Sequence, residues 1–206
     1  TTRRQRQMCI RDSQTFMKVS DCLKKKRPGR RVQGLAACLL PFDDNGAIAG
    51  QAFREAVART AEAGLGCAVN MDTGYANYIA PSEKTEVLQW TVDTLGRGQD
   101  FAAGAFVEGR EGDLEDLYRR EMDEIVSYGG TPVIFQTTRF HDWEPQRIID
   151  LYASICEPYP NVIGFELGQV FAPFGMIYGE ETIRGLMGIP SLSGIKHSSL
   201  SRVEEM

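Results

Sequence analysis

From Val32 onward, apolar runs alternate with amphipathic stretches at a nearly constant interval. Leu35 to Leu40 (LAACLL) is a continuous apolar run, the pattern of a parallel strand buried on both faces. The turn-rich segment Pro41-Phe42-Asp43-Asp44-Asn45-Gly46 ends it. Ala49 to Ala63 then carries Ala52, Phe53, Ala56, Val57 and Ala61 at roughly helical spacing and closes at Gly64. The alternation recurs down the chain. Further strands are predicted over 66–69, 101–106, 132–135, 162–167 and 192–196. Between them, one helix opens at Pro81-Ser82-Glu83 with Val87, Leu88, Val92 and Leu95 on its inner face, and others span 113–128, 144–155 and 181–187.

The strands start at 35, 66, 101, 132, 162 and 192, at intervals of 31, 35, 31, 30 and 30 residues. A fixed spacing of strand plus helix indicates repeated βα units and a parallel sheet. No G-x-G-x-x-G follows the first strand, so the dinucleotide-binding version of an open sheet lacks its phosphate turn. A closed barrel typically needs about 250 residues, and this chain has 206. The expected fold is therefore α/β, an incomplete (β/α)8 TIM barrel with about six of its eight units, two being expected beyond Met206.

Charge changes the picture only before residue 32. Residues 1–31 hold eleven Lys/Arg and two acids, net +9, whereas 32–206 hold twelve Lys/Arg and twenty-six acids, net −14. The segment Arg4-Gln5-Arg6-Gln7-Met8-Cys9-Ile10-Arg11-Asp12-Ser13 resembles translated sequencing-adapter read-through. Residues 1–31 are accordingly expected to be a basic, disordered, non-native leader, and 32–206 the partial barrel. Nucleic-acid binding through the leader is a weaker reading, because the acidic remainder would repel phosphates. No run of eighteen apolar residues exists, which excludes a helical membrane span. The five cysteines form no C-x-x-C pair and have no partnered histidines, so neither a zinc site nor a disulfide framework is expected, and the compartment is expected to be reducing and cytoplasmic.

Candidate chemistry lies near the C-terminus, at Ser193-Gly194-Ile195-Lys196-His197-Ser198-Ser199. A lysine at the mouth of a buried strand has an apolar wall around its stem. Desolvation disfavours the ammonium, and the free amine becomes a nucleophile toward a carbonyl. The competing reading is a strand-end lysine whose stem lies on apolar surface with its head in water.

Three segments resemble one family. Leu40-Pro41-Phe42-Asp43-Asp44-Asn45-Gly46 is similar to the T-P-F-x-x-x-G opening of the dihydrodipicolinate synthase / N-acetylneuraminate lyase family. Asp72-Thr73-Gly74-Tyr75 is similar to its G-T-T-G-E loop, and Glu181 through Gly194-Ile195-Lys196 to the helix and G-I-K strand that present its Schiff-base lysine. The resemblance covers about residues 34 to 202 and implies a homotetrameric class I lyase whose lysine condenses with pyruvate or another 2-oxo acid, with no cofactor and no metal. It places the imine at Lys196, and the substrate carboxylate on Thr73 and Gly74.

The departures from the family pattern are specific. Asp72 replaces the first loop threonine and Tyr75 the loop glutamate. Phe165 or Glu166 stands opposite the family's proton-relaying tyrosine, and the paired tyrosines after strand four appear as Arg139-Phe140. Phenylalanine cannot carry a proton, so Glu166 is the expected acid/base. Asp72 is its expected partner or a hydroxyl- or cation-binding group, and Arg139 a bidentate contact to an acidic substrate. A non-catalytic paralogue that binds a 2-oxo acid or sugar acid is the alternative. His141 and His197 are expected on loops or the surface, Trp90 and Trp143 in packing roles, and the 171–175 loop at the site mouth.

Overall fold

The computed structural model describes residues 31–96 and 98–201, together with Lys24 and residues 27–29. The expectations for the leader at 1–31 therefore fall almost wholly outside the described residues. The described chain from residue 34 builds six strands: β1 (Leu35–Ala37), β2 (Gly66–Val69), β3 (Phe101–Ala105), β4 (Thr131–Ile134), β5 (Val162–Leu167) and β6 (Leu192–Ser198). They alternate with α1 (Gly50–Glu62), α2 (Pro81–Leu95), α3 (Leu114–Ser127), α4 (Pro145–Cys156) and α5 (Glu180–Leu186). All neighbouring pairs are parallel and the sheet order is β1-β2-β3-β4-β5-β6, so each βα unit adds one strand beside the last. This is the curled, incomplete (β/α)8 barrel that the 30-residue period predicts.

Two apolar layers follow from strand alternation, which sends successive side chains to opposite faces. On the outer face Phe101, Ala103, Ala105 and Val162 meet helix residues such as Val57, Val87, Tyr118, Met122, Ile148 and Tyr152. On the inner face Ala68, Ala102, Val133, Phe135, Phe165 and Leu167 form a second cluster with Phe106 and Phe174. Its rings meet edge-on, Phe135 lying 5.0 Å from Phe165 and Phe106 lying 5.4 Å from Phe135 between centroids, a favoured geometry for aromatic quadrupoles. The loop carrying Phe174 thus closes over the inner face near the strand ends.

Local signals set the helix boundaries. Asp113 caps α3 by accepting from the Asp116 N–H at 3.2 Å, while Glu83 in the first turn of α2 accepts the Ala80 N–H at 2.6 Å. The α3 stripe of Leu114, Leu117, Tyr118, Met122 and Ile125 buries one face against the sheet. In β3, Gly104 is required by close approach: a Cβ there would lie 2.1 Å from the Asn70 carbonyl oxygen and 2.5 Å from a Phe135 ring carbon. Because one obstacle is backbone, relaxation is costly. Gly104→Ala is expected to lose about 3 kcal/mol, the upper part of the overpacking range, read as a lowered urea midpoint with an unchanged slope.

Two boundaries differ from the expectation in an informative way. The six-residue apolar run predicted as a fully buried first strand pairs over three residues only, and leaves Leu35 and Leu39 exposed. Among the described residues β1 pairs with β2 alone. β6, by contrast, continues two residues past Lys196 to Ser198, because Glu166 and Leu167 extend the pairing to His197 and Ser198. Lys196 therefore sits within the strand rather than at its end.

Candidate active site

Register decides which side chains share the lysine's face. Phe165 pairs with Lys196 and Glu166 pairs with His197, and in parallel strands paired residues point the same way. Phe165 belongs to the inner cluster, so Lys196 projects to the inner side. Its Nζ stands 3.5 Å from the centroid of the Phe165 ring and donates to the Ser198 hydroxyl at 3.0 Å. The amine is about half-buried. Burial pulls its pKa below the ordinary 10.5, and the negative charge of Asp72 opposes that shift only in part. The ring face would favour the ammonium too, yet desolvation is the larger influence, and it favours the nucleophilic form.

Asp72, Thr73 and Gly74 form a single helical turn directly after β2. The turn is flanked by two non-glycine residues with left-handed backbone, Asn70 at φ 51° and Tyr75 at φ 56°. Such residues are uncommon outside loops under local constraint. Asn70 is held by donating its side-chain amide to the Lys84 carbonyl at 3.1 Å. The Oδ1 atom of Asp72 is buried without a hydrogen-bond partner. Thr73 is exposed, leaving its hydroxyl accessible. Gly74 is buried, and its N–H donates to the Met71 carbonyl at 2.9 Å, so that group is committed within the turn rather than open to a substrate carboxylate.

Glu166 lies on the other face of the sheet from Lys196. It is 4% exposed, accepts the Tyr178 N–H at 2.6 Å and pairs with His197 Nδ1 at 2.5 Å. With Ile183, Met187, Leu192, Ser193, Gly194, Ile195 and His197 it lines a hollow on the helix side of β6. The expected acid/base partnership between Glu166 and the lysine is therefore not what the geometry assembles. The choice between Phe165 and Glu166 resolves in favour of Phe165 as the residue beside the amine. His197, expected on a loop or at the surface, lies instead within β6, partly buried in this outer pair, with Nε2 buried and unpartnered.

Arg139 is exposed and donates from Nη1 to the Gly112 carbonyl at 2.9 Å. The carboxylate beside that segment is Glu108. Burial raises its pKa, but hydrogen bonds from the Thr137 hydroxyl at 2.5 Å and from Thr138 at 2.7 and 2.9 Å outweigh burial and hold it below the usual range. Two positions escape a sequence reading but support the site. Ser198 holds the amine, and strand alternation from Lys196 could have placed it on the same face. Gln136 ties the β5 loop down, accepting the Leu167 and Met176 N–H groups at 3.0 and 3.2 Å and donating to the Met176 carbonyl at 2.7 Å. Among the described residues no cluster of three or more His, Cys, Asp or Glu could hold a metal ion, and no helix is long and apolar enough to cross a membrane.

A half-buried lysine on the inner face of a parallel α/β sheet, and a turn carrying Asp72 directly after β2, are the features that these residues define. No protein-family model matches the chain, and no curated protein matches it by sequence. Solved structures do share the fold. The sialic acid aldolase of Ruminococcus gnavus superposes with a TM-score of 0.66 at 16% identity, over 82% of this chain and 55% of its own. Dihydrodipicolinate synthase from Bacillus clausii gives 0.64 at 15% identity, over 82% of this chain and 54% of its own. The chloride-inhibited dihydrodipicolinate synthase of Acinetobacter baumannii, complexed with pyruvate, gives 0.66 at 15%, over 81% and 55%. The chain thus spans somewhat more than half the length of these structures, and at such identities the likeness establishes the fold.

Proposed function

We propose that this chain is a divergent member of the dihydrodipicolinate synthase / N-acetylneuraminate lyase family, and that Lys196 forms an imine with pyruvate or another 2-oxo acid. The observation that carries this reading is the Lys196 amine itself: inward-facing, beside Phe165, with a pKa lowered by burial. The fold shared with a synthase complexed with pyruvate supports the substrate class. In the reaction, the amine adds to the ketone carbon, water leaves, and the protonated imine draws electrons from an adjacent C–C bond, so that the bond is made or broken through an enamine. Such a lyase acts as an aldolase or hydratase-aldolase. Thr73 offers a hydroxyl to the substrate carboxylate, and the exposed Arg139 a cation to an acidic substituent. A homotetramer is the assembly that goes with this family reading.

The pH dependence of capture tests the amine. With saturating cyanoborohydride, the rate at which pyruvate is captured on Lys196 follows the fraction of free amine. Since the folded pKa lies below 10.5, that rate should rise as pH climbs through the lowered value and level off before 10.5. Exposed lysines continue to gain reactivity through 10.5. A capture rate on Lys196 that tracks the exposed lysines removes the support for a tuned nucleophile.

A further inference from the structure

Among the described residues, the inner cluster on the Lys196 face holds no tyrosine: Phe165 occupies the position paired with the lysine, and Glu166 is on the other face. Imine formation still requires a proton at one defined place: the hydroxyl of the carbinolamine must leave as water. We infer that the carboxyl group of Asp72 is the proton donor and acceptor for Lys196, a catalytic residue acting on the reacting oxygen. The inference rests on the imine reading given above.

Two independent observations point to Asp72. Its Oδ1 is buried and makes no hydrogen bond within the chain, although buried carboxylate oxygens are ordinarily satisfied and each exception calls for an explanation. A group that accepts and returns a proton during turnover gives one. Second, Met71 and Ala76, on either side of the turn, pack in the same inner cluster as Phe165, whose ring lies 3.5 Å from the Lys196 amine, and the Asp72 charge favours the ammonium there. The turn that carries it is held from below: the Gly74 N–H is bound to the Met71 carbonyl, and a Cβ on Gly74 would lie 3.4 Å from the Cys38 carbonyl oxygen, so the turn sits close against the segment after β1. Left-handed residues on either side, Asn70 and Tyr75, aim the turn. A carboxyl fixed by constrained backbone loses little freedom when the substrate arrives, which is what positioned acid/base catalysis requires.

The step balances as follows. The Asp72 carboxylate first takes one proton from the Lys196 ammonium; the neutral amine then attacks the ketone carbon, the C=O π pair moves to oxygen, and one amine proton passes to that oxygen to give the carbinolamine. Protonated Asp72 then gives its proton to the carbinolamine hydroxyl. The C–O bond breaks with release of water, the nitrogen lone pair forms the C=N bond, and a protonated imine and an Asp72 carboxylate remain. The carboxylate can next accept the proton released when the enamine forms by deprotonation of the adjacent carbon.

The test compares the wild-type chain with Asp72→Asn and Asp72→Ala, using pyruvate and cyanoborohydride, with circular dichroism to verify folding. Capture on Lys196 by the wild type establishes the underlying imine reading by itself; its absence overturns that reading and this inference together. Given capture, Asp72→Asn should form the adduct about 100-fold more slowly, within the usual range for loss of a general acid, while the adduct at long times still maps to Lys196. Added formate should restore at least a tenth of the lost rate in Asp72→Ala and none in Asp72→Asn, where the amide fills the space. An Asp72→Asn rate within twofold of wild type overturns the inference. So does a slow, folded Asp72→Ala variant that formate does not rescue, since a merely structural carboxyl would behave in that way. If Asp72→Ala fails to fold, Asp72→Ser with formate takes its place under the same criteria.

Discussion

Lys196→Met is expected to abolish covalent capture of pyruvate while leaving the fold intact. Methionine keeps an unbranched stem of similar length against the Phe165 ring and supplies no amine. The ammonium it removes is disfavoured by burial, and the pKa lowered from 10.5 records that penalty. Loss of the contact with the Ser198 hydroxyl at 3.0 Å offsets part of the gain. Stability should therefore stay within about 1 kcal/mol of wild type, as for a tolerated shape-conserving change, while mass spectrometry after borohydride reduction shows no adduct at this peptide. A loss of adduct accompanied by unfolding would make the lysine structural. An adduct that persists elsewhere in the chain would move the nucleophile.

Glu121→Gln should have the largest effect on stability of any surface-independent polar change. Lys84 and Glu121 are each 8% exposed, with Nζ and Oε2 3.8 Å apart, and Arg110 bonds the same carboxylate. Lys84 also lies over the Phe106 ring at 5.2 Å, next to the inner aromatic cluster. Burial lowers its pKa, and Glu121 is the principal charge opposing that shift. Removing the carboxylate leaves a buried ammonium beside the Arg110 guanidinium, with only the weaker influence of Glu124 to oppose it. Breaking one side of such a pair costs about 3 to 5 kcal/mol. The loss should shrink as pH rises toward 10.5, because the protonated folded form is the one penalised and the unfolded chain keeps its proton longer. The double variant Lys84→Met, Glu121→Leu should recover most of the loss, since two apolar side chains no longer need each other's charge. Urea unfolding of the single and double variants at neutral and alkaline pH measures each part.

The architecture was legible in the sequence because a period near 30 residues is a property of every βα unit together. No single boundary error disturbs it: β2 and β5 fall where expected, at Gly66–Val69 and Val162–Leu167, and the other strands shift by a residue or a few. β1 is shorter than its apolar run suggests, because such a run does not show how many of its residues find a pairing partner, here three with β2. The lysine was legible as a candidate because it follows an apolar strand. What remained hidden was parity. Phe165 and Glu166 are adjacent in sequence, yet a one-residue step turns a strand side chain to the opposite face. Only the pairing of Phe165 with Lys196 shows which of them shares the amine's surroundings. The Lys84–Glu121 pair was illegible for a different reason, since α2 and α3 bring together residues separated by a whole strand and its loops. The buried Asp72 oxygen likewise belongs to tertiary packing and not to any spacing.

The most direct test of Lys196 as the imine-forming residue is borohydride reduction of the chain with pyruvate, followed by proteolysis and peptide mass mapping. One reduced adduct is expected, carried by the β6 peptide at Lys196, at a pH where the exposed lysines are unmodified. An adduct confined to other lysines, or none at all in a folded chain across pyruvate and longer 2-oxo acids, would contradict it and favour a protein that binds such acids without reacting with them.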